Sequence, residues 1–191
     1  METSWDLLLA VLPGHSHRVE SVAFSSDGSR LASTSLDKTM MLWDSTTGTL
    51  IAMLKGSPSS PDIKFSPDGA RLVNCCGNAV RLWDGVTGSP LTMLEDGRGH
   101  ADFTFSPDNA RLATNADPVR LWDGTTGVFI TKLGSSAIFN SISFSLDSAR
   151  LAFVPSAHHK TVSLWRYGVL HRYTRGPFTY REYCCVLAPS R

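Results

Sequence analysis

The sequence predicts an all-β chain built from successive copies of one small antiparallel sheet, and three observations lead there. Phe-Ser-x-Asp recurs four times, led by Phe24, Phe65, Phe105 and Phe144, at spacings of 41, 40 and 39 residues. A tryptophan follows each copy, at Trp43, Trp83, Trp122 and Trp165, spaced by 40, 39 and 43. Between these markers, short stretches alternate apolar and polar residues and are punctuated by Pro, Asp and Gly, with no helical stripe. A period near 40 residues is that of a supersecondary unit, too long for a heptad and too short for an independent domain.

The elements of one unit follow in order. "VESVAFS" at 19–25 alternates as a first strand, with Val22 and Phe24 on one face. "SPDG" at 66–69 places Pro at the first central position of a turn and Gly at its end. "ARLA" at 110–113 begins a second strand and "VRLWD" at 80–84 supplies a third. "GVTG" at 85–88 and "GTTG" at 124–127 close a second turn. A fourth strand then follows as "TLIAML" at 49–54, "PLTML" at 90–94 and "VFITKL" at 128–133. One such sheet cannot bury both its faces, so neighbours must stack on it. The expected units are 14–54, 55–94, 95–133 and 134–166, with the apolar "LLLAVL" at 7–12 as an extra N-terminal strand. Residues 167–191 do not match the repeat.

Through "GHSHRVESVAFSSDGSRLASTSLDKTMMLWD" at 14–44 and its three weaker copies, the chain resembles the WD-repeat β-propellers. The resemblance covers about residues 5–166 and implies that each unit is a four-stranded blade in a ring of blades. It also implies a hydrogen-bonded structural tetrad, which maps to His15, Ser33, Asp37 and Trp43. The later copies depart from it. Gly56-Ser57 stands where Gly14-His15 stood, Asn74 replaces the serine, and the "CCGNAV" turn lacks an aspartate. In the third copy His100 is out of register, while Thr114 and Asp117 could still serve; the fourth has Phe153 and Arg166 in place of the serine and the final aspartate. With WD-repeat rings usually holding about seven blades, four copies suggest an incomplete or open propeller; the alternative is a closed four-bladed ring completed by residues 7–12. The uncovered end blades of an open array would invite self-association.

Bulk properties bound the function. The 191 residues are 42% hydrophobic with a formal charge of +1, an ordinary soluble composition. No apolar run reaches the roughly 20 residues of a membrane helix, and the acidic opening "METSWDLLLAVLPGH" reads as part of the fold, not as a targeting segment. The four cysteines form two adjacent pairs, Cys75-Cys76 and Cys184-Cys185, which suit neither zinc nor a disulfide and point to a reducing, cytoplasmic setting, with the nucleus left open. Residues 166–191 carry a net +4 against −3 for the preceding 165, a Tyr- and Arg-rich composition that is the sole argument for nucleic acid. Arg30, Arg71, Arg111 and Arg150 recur once per unit, but Asp27, Asp68, Asp108 and Asp147 each sit three residues earlier and balance them.

No constellation of unlike catalytic groups breaks the repeat, and the His15-x-His17 and His158-His159 pairs lack further placed metal ligands. The expectation is a chain without cofactor, metal or catalytic residues: a protein-binding scaffold or recognition module. "SPDGARL…VRLWDG.TG" is similar to the repeat arrays of fungal NLR-like receptors, which would make this chain a detached sensor arm of a larger array. A hydrolase-type propeller with a site at its channel is the alternative. Candidate partner contacts are the loop residues that vary before each first strand: His17, Arg18, Ser59, Ser60, Ser136 and Ala137.

Overall fold

The computed structural model describes residues 8–55, 62–76, 79–95, 102–115, 118–133, 139–155 and 162–166. They form four separate antiparallel sheets and no helix. The first sheet holds β1 (Val19–Phe24), β2 (Arg30–Ser35), β3 (Thr39–Asp44) and β4 (Leu50–Lys55), each paired with the next. The second repeats this order with β5 (Ile63–Phe65), β6 (Arg71–Cys76), β7 (Ala79–Asp84) and β8 (Pro90–Glu95). The third holds β9 (Phe103–Phe105), β10 (Arg111–Thr114), β11 (Val119–Asp123) and β12 (Phe129–Leu133). The fourth holds three strands among the described residues, β13 (Phe139–Phe144), β14 (Arg150–Pro155) and β15 (Ser163–Arg166). Two compact units divide the chain between Glu95 and Asp96, with two sheets in each. Residues 8–12, the described part of the apolar N-terminal segment, belong to no strand, and Leu8, Leu9 and Val11 are exposed.

The recurring turns set the strand order. Between β1 and β2, Gly28 N donates to Ser25 O (2.9 Å). Ser25 Oγ donates to Asp27 Oδ1 (2.6 Å) and accepts from Arg30 N (3.0 Å). The residue after the aspartate must adopt a left-handed backbone: φ is 71° at Gly28, 69° at Gly69, 60° at Asn109 and 56° at Ser148. Glycine fills that position without strain, and Asn is the next most tolerant residue. A second turn joins the third strand to the fourth, where Asp44 Oδ1 accepts from Thr46 N (2.9 Å) and Thr47 N (2.7 Å) and Gly48 takes φ 72°. Asp84 and Asp123 build the same turn. At each, the register shifts by a bulge beside the tryptophan.

Within the first unit, Ala32, Met40, Leu42 and Leu54 of one sheet pack on Ile63, Leu72 and Trp83 of the next, with Phe65 beside them. The second unit repeats that face-to-face burial: Ala113, Val119 and Leu121 meet Ile142, Leu151 and Phe153, flanked by Phe144 and Trp165. The alternation of β5 explains its part, since Ile63 and Phe65 point to the neighbour while Lys64 points away and is exposed.

Candidate functional site

The first blade carries a connected polar network through its buried edge. Trp43 Nε1 donates to Ser33 Oγ (2.9 Å), and Ser33 Oγ lies 2.8 Å from His15 Nε2. His15 Nδ1 lies 3.0 Å from Asp37 Oδ2. The indole can only donate and the carboxylate only accept, so with a neutral imidazole the chain runs Trp43 N–H to Ser33, Ser33 O–H to His15 Nε2, and His15 Nδ1–H to Asp37. Asp37 accepts further from Ser16 N (2.9 Å), Thr39 N (2.9 Å) and Thr39 Oγ1 (2.6 Å). Burial pushes the Asp37 carboxyl up, but the bonds from Thr39, Ser16 and His15 outweigh it and hold the group well below the usual carboxylate range. Gly14 allows the loop to approach: a Cβ there would meet Met41 Sδ at 2.9 Å and Trp43 Cη2 at 3.0 Å.

The other tryptophans show the network reduced. Trp83 Nε1 donates to Asn74 Oδ1 (2.8 Å), and Trp122 Nε1 donates to Thr114 Oγ1 (2.9 Å). In the fourth blade the corresponding position is Phe153, and Trp165 stacks on its ring with centroids 6.2 Å apart. Hydrogen bonding at this position thus ends in an aromatic contact. Asp117 and His100 lie outside the described residues.

The repeated arginine does more than balance its aspartate. Arg30 Nη2 approaches Asp27 Oδ2 at 3.5 Å, while its Nη1 crosses to the second blade and donates to Gly69 O (3.1 Å) and Gly85 O (2.6 Å). Its guanidinium carbon also lies 5.9 Å from the centre of the Phe65 ring. Gly85 itself sits against the backbone, where a Cβ would fall 2.4 Å from Gly69 O. Sequence reasoning missed this link between blades; the only signal was the arginine's recurrence, which a local ion pair explained equally well. The turn acids are strongly acidic for local reasons. The Ser25 hydroxyl leads the Ser29 amide and hydroxyl in holding Asp27 down, and the Ser145 hydroxyl leads in lowering Asp147 to about 2.

Next to this frame, the loop before β1 presents His17 and Arg18 to solvent. Its backbone is held: Ser35 Oγ donates to His17 O (3.1 Å) and Leu36 N donates to Arg18 O (3.0 Å). Arg18 Nη2 reaches Glu20 Oε1 at 3.6 Å. Leu36 and Lys38, in the adjoining turn, are exposed too, and Lys38 takes a left-handed φ of 66°. Ser59, Ser60, Ser136 and Ala137 lie outside the described residues. Among the described residues no three His, Cys, Asp or Glu side chains gather as a metal site, and no helix is long and apolar enough to cross a membrane.

Residues 7–44 and 48–84 match the family model described as "WD domain, G-beta repeat". Over 49 residues, 26% of this chain, the sequence is 49% identical to the vegetative incompatibility protein HET-E-1 of Podospora anserina. Over 71 residues, 36% of this chain, it is 39% identical to the WD repeat, SAM and U-box domain-containing protein 1 of Danio rerio. The matched stretches span 4% and 15% of these two relatives' lengths.

Proposed function

We propose that this chain is a WD-repeat protein and a non-catalytic module that binds another protein through loops at one edge of its blades. WD repeats generally mediate protein–protein interaction. The observation that carries the finer reading is the contrast within the first blade. His15, Ser33, Asp37 and Trp43 are consumed by internal hydrogen bonds. His17, Arg18, Leu36 and Lys38 are exposed beside this frame, on a backbone held by the bonds from Ser35 Oγ to His17 O and from Leu36 N to Arg18 O. A rigid frame with variable exposed residues is a recognition surface, since little ordering entropy is lost on binding. The surface mixes cations with one apolar side chain and suits a partner segment of acidic and apolar residues.

In this reading the chain works in the cytoplasm as a scaffold or as the sensor arm of a larger array, a role supported by the identity to a vegetative incompatibility protein. The test is affinity purification of the tagged chain from its own cells beside a His17→Ala, Arg18→Glu variant. Loss of the co-purifying protein with the variant, at unchanged thermal stability, is the expected result. Retention of the same partner at the same yield by the variant overturns the assignment of this loop.

A further inference from the structure

We propose that the outer face of the last blade docks on the outer face of the first blade of a second copy, so that chains associate head to tail. This inference is independent of what the loops bind. Its template is the interface the molecule builds internally. In the first unit, one side of that interface is Ala32, Met40 and Leu42, with Arg30 reaching across; the other is Ile63 and Phe65, with the carbonyls of Gly69 and Gly85.

Strand register carries both halves to the ends. Val22 pairs with Ser33 and Phe24 with Leu31, just as Ile63 pairs with Asn74 and Phe65 with Leu72, so Val22 and Phe24 occupy the receiving positions on the first blade. Ile63 is 4% exposed, whereas Val22 is 58% and Phe24 62% exposed. On the fourth blade, Ala152 pairs with Leu164 as Ala32 pairs with Leu42, which makes Ala152, Leu164 and Val162 the donating face. Leu42 is fully buried, yet Leu164 is 49% and Val162 64% exposed. Arg150 completes the set. It holds Asp147 through Nη2 at 3.1 Å, the same nitrogen by which Arg30 approaches Asp27, and its side chain is 53% exposed against 13% for Arg30. In the docked pair, Arg150 Nη1 would donate to Gly28 O and Ser45 O, the repeat positions of Gly69 and Gly85. Gly28 O already accepts from Ser45 Oγ, and a carbonyl has a second lone pair for the arginine.

Each end face is thus the missing half of the other, which favours another copy over an unrelated apolar partner. Such an interface is heterologous and adds copies until it closes or extends. Sedimentation across a concentration series tests it, with Phe24→Lys and Leu164→Lys, each of which blocks one face. The wild-type mass is expected to rise above 20.8 kDa with concentration, and each variant alone to stay at the single-chain mass. An equal mixture of the two variants retains one intact joint and is expected to form dimers. Arg150→Met should weaken association about tenfold. A wild-type chain that stays single at every concentration overturns the proposal, as does a single variant that associates like wild type, or a mixture that stays single. Val22→Lys and Ala152→Lys serve as the second pair if either first variant fails to fold.

Discussion

Arg30→Met offers a direct reading of how the blades are joined. The substitution keeps an unbranched apolar stem and removes the guanidinium, with its bonds to Gly69 O (3.1 Å) and Gly85 O (2.6 Å) and its place over the Phe65 ring. A hydrogen bond from a charged donor is worth about 1.5–3 kcal/mol, and the carbonyls left behind retain only part of their hydration. The arginine is itself partly desolvated, at 13% exposure, which offsets some of the loss, so about 3 kcal/mol is expected for the pair. The same change at Arg150, 53% exposed and bonded to Asp147, removes only a surface pair worth about 0–1 kcal/mol. Urea denaturation at dilution low enough to keep the chain single measures both, as midpoints at a common slope. A loss at Arg30 no larger than at Arg150 would refute the inter-blade role.

Other expectations follow from the same geometry. Ser33→Ala leaves both Trp43 Nε1 and His15 Nε2 without their shared partner and should cost about 2–4 kcal/mol, against about 1 kcal/mol for Thr114→Ser, which keeps the acceptor of Trp122 and loses only a methyl group; thermal melts compare the two. Lys38→Gly, at φ 66°, should stabilise by about 1 kcal/mol, because glycine removes the left-handed penalty and no side-chain bond is lost. Acid should unfold the chain through its turn acids. The folded carboxyls of Asp37, Asp84 and Asp123 are lowered, so their stabilisation is complete above the unfolded value near pH 4 and is lost as pH falls below it. A denaturation midpoint that is flat from pH 5 down to 2.5 would contradict this.

How much of this was legible in the sequence depends on how local the cause was. The turns were legible because a serine, an aspartate and a glycine within five residues dictate their own hydrogen bonds, and the fall from Ser33 through Asn74 and Thr114 to Phe153 could be read at one repeat position. The frame of the first blade followed from the resemblance, since His15 and Trp43 stand 28 residues apart and nothing in their spacing states that Ser33 joins them. The apolar stretch at 7–12 reads as a strand in the sequence, yet its described part, 8–12, belongs to none, because a strand needs a paired edge that composition does not specify. Arg30 was read as the partner of Asp27 because that acid is three residues away, whereas Gly85 is 55. Its carbonyl acceptors carry no side-chain signature, so only the stacked sheets reveal them.

The claim on which all of this stands is that each blade is stabilised by the face it buries against its neighbour, and one pair of substitutions measures it. Leu42 and Leu164 hold the same register position, the first fully buried and the second 49% exposed. Leu42→Ala should cost about 2–5 kcal/mol, and Leu164→Ala in the single chain less than about 1 kcal/mol. Equal losses at the two positions would mean that a blade is stable in its own right and that the stacking of repeats is not what holds the fold together.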